Sequence, residues 1–349
     1  MRYIGNKSNL LEFIYSIVKE NNLPKGSFCD IFSGTTSVAR FFKSKGFRVL
    51  SNDFMEYSYV FQKAYIDNNK IPTFKGLEKV IPAPDIFKVV NFLNNLEGKE
   101  GFIFKNYCIE GSKKYAKYER NYFSSENAKK IDVIRDEIEE WKNKNLITES
   151  EFYILVASLL EEVPYVSNIA GTYGCFLKSN DPRMFKPLLL KVPTLLESDI
   201  RHYCYKEDSN KLIRRIFCDI LYIDPPYNNR QYAPNYHIFE SIAVWDKQIT
   251  DTITGLRPYK NQRSLYCYDD RCITIFDDLI TNAKCKFILF SYNTEGIIPH
   301  KEVIRILSKK GKLKVFSYDY KRFKSNSNGK KKKEPLKELI YFVEVPNKS

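Results

Sequence analysis

Short apolar runs that end in Asp or Ser and then turn constrain this chain more than any other feature. Phe28 to Phe32, Arg48 to Ser51 and Ile220 to Ile223 have this form, and Phe287 to Phe290 runs into Ser291-Tyr292-Asn293. Helical stretches lie between them, so the chain reads as alternating β and α units around a largely parallel sheet. In open sheets of this kind ligands bind beyond the carboxyl ends of the strands, which makes the polar residues there site candidates. The expected fold class is α/β with a Rossmann-like core.

The alternation breaks from about Pro72 to Val192, where helical patterns take over. Ile131, Ile134, Ile138 and Trp141 share one helix face, and Thr148 with Glu151 forms a capping box before the apolar run Phe152 to Leu160. The expected division is therefore a core made of residues 1–71 and 193–349 with a mainly helical insertion at 72–192. Near the end of the sequence, Leu313 to Tyr320 and Glu338 to Val345 read as the strands of a hairpin.

Fifty-six Lys and Arg against 42 Asp and Glu give the 349 residues a net charge of +14, which favours an anionic partner. No apolar run approaches the roughly 20 residues of a membrane span, and Met1 to Lys7 lacks a secretory signal's apolar stretch, so no membrane and a cytoplasmic location are expected. The eight cysteines are scattered without a Cys-x-x-Cys pair and the three histidines are dispersed. These read as reduced thiols with no metal site. Lys113, Lys114, Lys117 and Arg120 are interleaved with tyrosines, a pattern suited to phosphates and bases, although a solvated face looks similar. A second basic stretch, Lys321, Arg322 and Lys324, precedes the polar loop that ends in four lysines, and is a further candidate for nucleic-acid backbone contact.

Asp224-Pro225-Pro226-Tyr227 follows the strand-like run Ile220 to Ile223. An exocyclic amino nitrogen of a base is a poor nucleophile because its lone pair is delocalised into the ring. Two acceptors that draw on its N–H groups restore lone-pair character. The Asp224 carboxylate can be one and the Pro225 carbonyl the other, with the two prolines holding the turn in one geometry. Tyr227 offers a ring face, and stacking on an aromatic residue returns about 1 to 3 kcal/mol of what a base loses when it leaves a duplex. A plain Asp-Pro turn is the competing reading.

Asp30-Ile31-Phe32-Ser33-Gly34-Thr35-Thr36 is a turn into a helix, in which Gly34 lets the backbone approach a ligand. Asp53, at the end of the second strand, can bind ribose hydroxyls. The G-x-G-x-x-G phosphate cradle of a nicotinamide oxidoreductase is absent. S-adenosylmethionine, an adenosine sulfonium without phosphate, suits one close glycine and several carboxylates better.

Over nearly its whole length the chain resembles the alpha-class DNA adenine N6-methyltransferases, the family of the DNA adenine methylase Dam. The resemblance rests on Arg2 to Lys7, Asp30 to Gly34, Asn52-Asp53, and Asp224 to Tyr232 followed by Asn235-Tyr236-His237. It implies a methyltransferase core that binds S-adenosylmethionine through Tyr3, Lys7, Asp30, Phe32, Gly34, Asp53 and Asp224, with Asp208 beside the cofactor adenine. It implies a catalytic set of Asp224, Pro225, Pro226 and Tyr227 acting on a flipped-out adenine in double-stranded DNA. The insertion becomes the target-recognition domain, with Asn168 and Tyr173 in a DNA-facing loop and Asn229 and Arg230 as further DNA contacts. A cognate restriction endonuclease, and a monomer or weak dimer, are expected by the same resemblance. One departure is Thr36, which stands where the family commonly has a second glycine. Methylation of RNA adenine or of cytosine N4, and a catalytically silent DNA-binding protein, are the rival readings.

Overall fold

The computed structural model describes residues 7–320 and 336–346, so Tyr3, Lys321, Arg322 and Lys324 lie outside the described residues. Two compact units emerge, each built from segments distant in sequence. One comprises Lys7–Phe54, Tyr205–Gln231 and the chain from Ser264 onward; the other comprises Met55–Cys204 and Tyr232–Arg263.

The first unit carries the sheet. Its strands are β1 (Ser27–Asp30), β2 (Arg48–Asn52), β3 (Tyr203–Tyr205, which crosses the unit boundary), β4 (Cys218–Ile223), β5 (Cys285–Asn293), β6 (Lys312–Tyr320) and β7 (Leu336–Glu344). The order is β3-β2-β1-β4-β5-β7-β6. β2, β1, β4 and β5 run parallel, and β7 pairs antiparallel with both β5 and β6. The four runs read from sequence are thus strands, as is the expected hairpin; β3 was missed because three residues carry no periodicity. Buried Phe28, Val49, Ile220 and Ile288 fill the sheet's interior. Phe28 on β1 stacks on Phe42 of the helix Ser37–Ser44 with centroids 3.7 Å apart, which fastens that helix to the sheet face.

The second unit is helical. The helix Ser125–Asn143 buries Ile131, Ile134, Ile138 and Trp141, and the helix Glu149–Glu162 starts at the expected capping box. There Thr148 Oγ1 accepts from Glu151 N at 3.2 Å, and Glu151 Oε2 accepts from Thr148 N at 2.8 Å. The unit's borders differ from the expected 72–192. The helices Glu56–Gln62 and His237–Val244 both pack against Glu149–Glu162, which draws residues from 55 onward and 232–263 into this body. Buried charges tie the pieces together. Glu240 accepts from the backbone of Glu56 at 3.0 Å and Tyr57 at 3.1 Å, and Arg135 Nε donates to the Ile242 carbonyl at 2.8 Å. No helix among the described residues is long and apolar enough to cross a membrane.

Asp132 has the same bracing role. Its carboxyl accepts from Gly101 N at 3.1 Å and from Ile103 N and Phe104 N at 2.8 Å each, satisfying the free amides at the start of the helix Phe102–Tyr107. Asp132→Ala should therefore destabilise the protein by about 2 to 4 kcal/mol, since it leaves buried donors unsatisfied. Urea unfolding checks this, and an unchanged midpoint would remove Asp132 from that role.

Candidate functional site

Parallel strands place their carboxyl ends together, and at this edge the first unit gathers Asp30 from β1, Asn52 at the end of β2 with Asp53 after it, Asp224 after β4 and Asn293 from β5. β7 runs the other way, so its early residue Glu338 reaches the same edge, opposite Asn293. Lys7 approaches from just before the helix Leu11–Glu20 and is 7% exposed. Its Nζ pairs with Glu338 Oε1 and lies 3.3 Å from Asp224 Oδ1.

The turn after β1 is held by its own backbone and side chains. Ser33 Oγ meets Ser51 Oγ at 2.6 Å, Ser33 N donates to the Asn52 carbonyl at 2.8 Å, and Thr36 N donates to the Ser33 carbonyl at 2.7 Å. Gly34 sits at φ 49°, a left-handed conformation that favours glycine, and its N–H donates to Asp53 Oδ2 at 3.0 Å. Asn52 in turn fixes the segment after β3, with Nδ2 donating to the carbonyls of Ile31 and Glu207 at 3.1 Å each. Phe32 meets Tyr266 edge to face at 5.1 Å, and Tyr266 Oη donates to Asn210 Oδ1 at 2.9 Å. These groups together form a site with an aromatic wall beside a carboxylate-rich turn.

Electrostatically the site favours a cation. Burial, and then the neighbouring Asp224 and Asp53, push the Asp30 carboxyl well above its ordinary range. Its Oδ1 is buried with no hydrogen-bond partner among the described residues. Burial likewise raises Asp224 to about 7, partly offset by Lys7, with Glu338 adding to the rise. Burial alone would lower the Lys7 ammonium, but Asp224 and Glu338 overcome it and hold Lys7 protonated. Lys7 thus pairs with Asp224 and Glu338, and Asp30 and Asp53 add carboxyl groups at the same strand ends. A ligand with positive charge and hydroxyl groups fits this donor and acceptor set, whereas a phosphate would meet four carboxylates.

The other expected residues divide into those near this edge and those elsewhere. Pro225 is buried, Pro226 and Tyr227 are half-buried, and Asn229 and Arg230 are exposed. Asn229 Nδ2 donates to Asp269 Oδ2 at 2.9 Å, and the Tyr227 carbonyl accepts from Ile297 N at 3.1 Å. Asp208 is exposed, and its Oδ1 caps the helix Ser209–Leu212 through Lys211 N at 3.0 Å. Sequence reasoning missed Glu338, Ser291 and Tyr266. The only signal was the hairpin position of Glu338 and the Ser291-Tyr292-Asn293 terminus of β5.

In the helical unit Lys113, Lys114 and Lys117 are exposed, with Lys114 over Tyr115 at 4.8 Å and Lys117 over Tyr118 at 5.6 Å. Arg120, Asn168 and Tyr173 are buried, which corrects the expectation that they contact DNA. Arg120 donates to the carbonyls of Ile253 at 3.2 Å, Asn106 at 3.1 Å and Thr252 at 2.9 Å. Gly255 beside it, at φ +65°, leaves no space for a Cβ, which would come within 2.7 Å of Arg120 Nε. Asn168 spends its amide on the Asn121 and Leu177 carbonyls at 2.9 and 3.0 Å and on Asp181 N at 2.8 Å. Tyr173 Oη shares a hydrogen bond with Ser167 Oγ at 2.9 Å. Asn168 and Tyr173 thus anchor the 167–181 loop, whose exposed residues include Lys178 and Ser179.

Thr36 keeps the backbone path that a glycine would take: it is buried at φ 60° and ψ 16°. A β-branched residue there is strained by about 1 to 2 kcal/mol. Thr36→Gly relieves that strain while losing buried contacts and adding unfolded-chain entropy, so stability should stay within about 1 kcal/mol of the parent. A thermal-melt loss equivalent to several kcal/mol would show that the Thr36 side chain, not the backbone path, holds the turn.

The family model described as D12 class N6 adenine-specific DNA methyltransferase matches residues 3–306. The chain is similar to the type II methyltransferase M.FokI of Planomicrobium okeanokoites, 40% identical across 99% of this chain and 52% of that protein. It is 39% identical to the modification methylase StsI of Streptococcus sanguinis across 99% of this chain and 52% of that protein. It is also 40% identical to the type II methyltransferase M.NlaIII of Neisseria lactamica, with 99% of each covered. The chain spans about half the length of the first two of these curated relatives.

Proposed function

Since the chain belongs to the D12 class of N6 adenine-specific DNA methyltransferases, we propose that it transfers a methyl group from S-adenosylmethionine to N6 of an adenine flipped out of duplex DNA. The observation that carries this reading is the pairing of Asp224-Pro225-Pro226-Tyr227 after β4 with an orphaned Asp30 Oδ1 at the same sheet edge. S-adenosylmethionine supplies an electrophilic methyl group on a sulfonium when bound. Asp30 and Asp53 would hold its polar groups, Phe32 and Tyr266 would flank its adenine, and the carboxylates would favour its positive charge. Asp208 caps the helix Ser209–Leu212, whose Asn210 accepts from Tyr266 beside the adenine end.

On the DNA side, Asp224 accepts from one N6–H of the flipped adenine and the Pro225 carbonyl from the other, and Tyr227 supplies the stacking face. Placement and preorganised acceptors carry the acceleration, so Asp224 need not be a strong base. Lys113, Lys114, Lys117, Lys178, Asn229 and Arg230 would meet phosphates or bases. Arg120, Asn168 and Tyr173 are omitted from that set because they are buried. The names of the relatives, type II methyltransferases and a modification methylase, support protection of DNA against a cognate restriction endonuclease.

The direct test is transfer of labelled methyl from S-adenosylmethionine to mixed-sequence duplex DNA, followed by nucleoside analysis. N6-methyladenine in one short motif is the expected product; no transfer of label to the DNA would overturn the reading. Asp224→Ala should lower turnover by at least about a thousandfold while leaving DNA binding largely intact. Retained turnover in that variant would sink the role of Asp224.

The titration of the site adds a pH dependence. Asp224 ionises at about 7, above the usual 3.8 of an aspartate. Between those values the free site holds a proton that a bound cation must expel. Cofactor affinity should therefore fall as pH drops from 7 toward 5.5, by up to about tenfold per pH unit for one coupled proton. Calorimetry across that range checks it, and equal affinities at both ends would contradict it.

A further inference from the structure

The ammonium of Lys7 has two carboxylate neighbours, and they hold it unequally. Glu338 Oε1 is in direct hydrogen-bond contact with Nζ, whereas Asp224 Oδ1 lies 3.3 Å away. Glu338 is 6% exposed, and Ser291 Oγ also donates to its Oε1 at 2.9 Å. Its place beside β5 follows from the antiparallel course of β7, which sets Glu338 opposite Asn293. The proposed reaction so far gives Glu338 no part.

Building on the reading of methyl transfer above, we propose that Glu338 is a positioning residue for that reaction. By taking Lys7 as its own partner, it keeps the ammonium near Asp224 without letting it occupy the carboxylate that must receive the target amino group. A buried lysine with a single carboxylate partner would close on it, and an aspartate engaged in this way is a poor acceptor for a neutral N–H. With Glu338 holding Lys7, Asp224 has a counter-charge and only Oδ1 engaged among the described residues. Ser291 fixes the glutamate that fixes the lysine.

The charged and titratable groups facing Asp224 are Lys7 from the segment before the first helix, Glu338 from β7, Asp30 at the end of β1 and Tyr222 on β4, with Asp53 acting on Asp30. Glu338→Gln keeps the volume and one acceptor oxygen but removes the negative charge. Repulsion on Asp224 then falls and Lys7 is released toward it, and both changes favour the ionised aspartate at lower pH.

The experiment is single-turnover methyl transfer by the full chain to mixed-sequence duplex DNA, with saturating S-adenosylmethionine, followed across pH. In E338Q the acid limb of the rate should move down by on the order of one pH unit, and the plateau rate should fall by about tenfold. Glu338→Asp, which keeps the charge but withdraws it from Lys7, should move the limb the same way by a smaller amount, and it carries the test if E338Q does not fold. A folded E338Q or E338D whose limb coincides with that of the parent overturns the proposal. Failure of the parent to methylate DNA is a different result, and it refutes the proposed function instead.

Discussion

Carboxylates crowded at the open ends of parallel strands repel one another, and the organisation of the sheet unit answers that repulsion. Asp30, Asp53 and Asp224 come together because β1, β2 and β4 run side by side in the same direction. One of them, Asp53, is steadied by the Gly34 amide, and another, Asp224, by Lys7. Asp30 keeps an oxygen without a partner among the described residues. Such an arrangement costs stability in the free protein and returns it when a cation binds, which is how a site can be selective for positive charge in a chain of net charge +14.

The helical unit uses buried charge for a different purpose. Asp132, Glu240, Arg135 and Arg120 each hold backbone amides or carbonyls left open at helix ends and turns. Charges satisfied in this way cannot also meet a nucleic acid without being unmade. Exposed lysines can do so, among them Lys114, whose ammonium lies over the Tyr115 ring, and Lys117, whose ammonium lies over the Tyr118 ring. Burial therefore separates basic residues that brace the unit from basic residues available to a partner, though both occur in the one stretch 113–120.

Thr36 illustrates how a backbone path can outlast its usual residue. The hydrogen bond from Thr36 N to the Ser33 carbonyl and the start of the helix at Ser37 demand a left-handed residue there, and the surrounding contacts impose it on a β-branched side chain. The turn after β1 is set by what β1, β2 and the helix require of it, with the local preference of one residue overridden.

By itself the sequence determined that the runs Phe28 to Phe32, Arg48 to Ser51 and Ile220 to Ile223 carry strands, and that a capping box stands at Thr148. Each of these is written in neighbouring residues, where periodicity, capping and turn preferences act over a few positions. Arg120 was expected at a nucleic acid from its basic, tyrosine-rich stretch and Asn168 and Tyr173 from the family resemblance, and nothing local reveals that all three are buried. Only the tertiary structure decided that the units divide near 54 and 204, that Tyr266 stands against Phe32, and that Glu338 meets Lys7 across 331 positions of chain. The reason is physical. Which carbonyl an arginine reaches, and which carboxylate shares a lysine, depends on the pairing of strands and helices far apart in sequence, and no local preference encodes that distance.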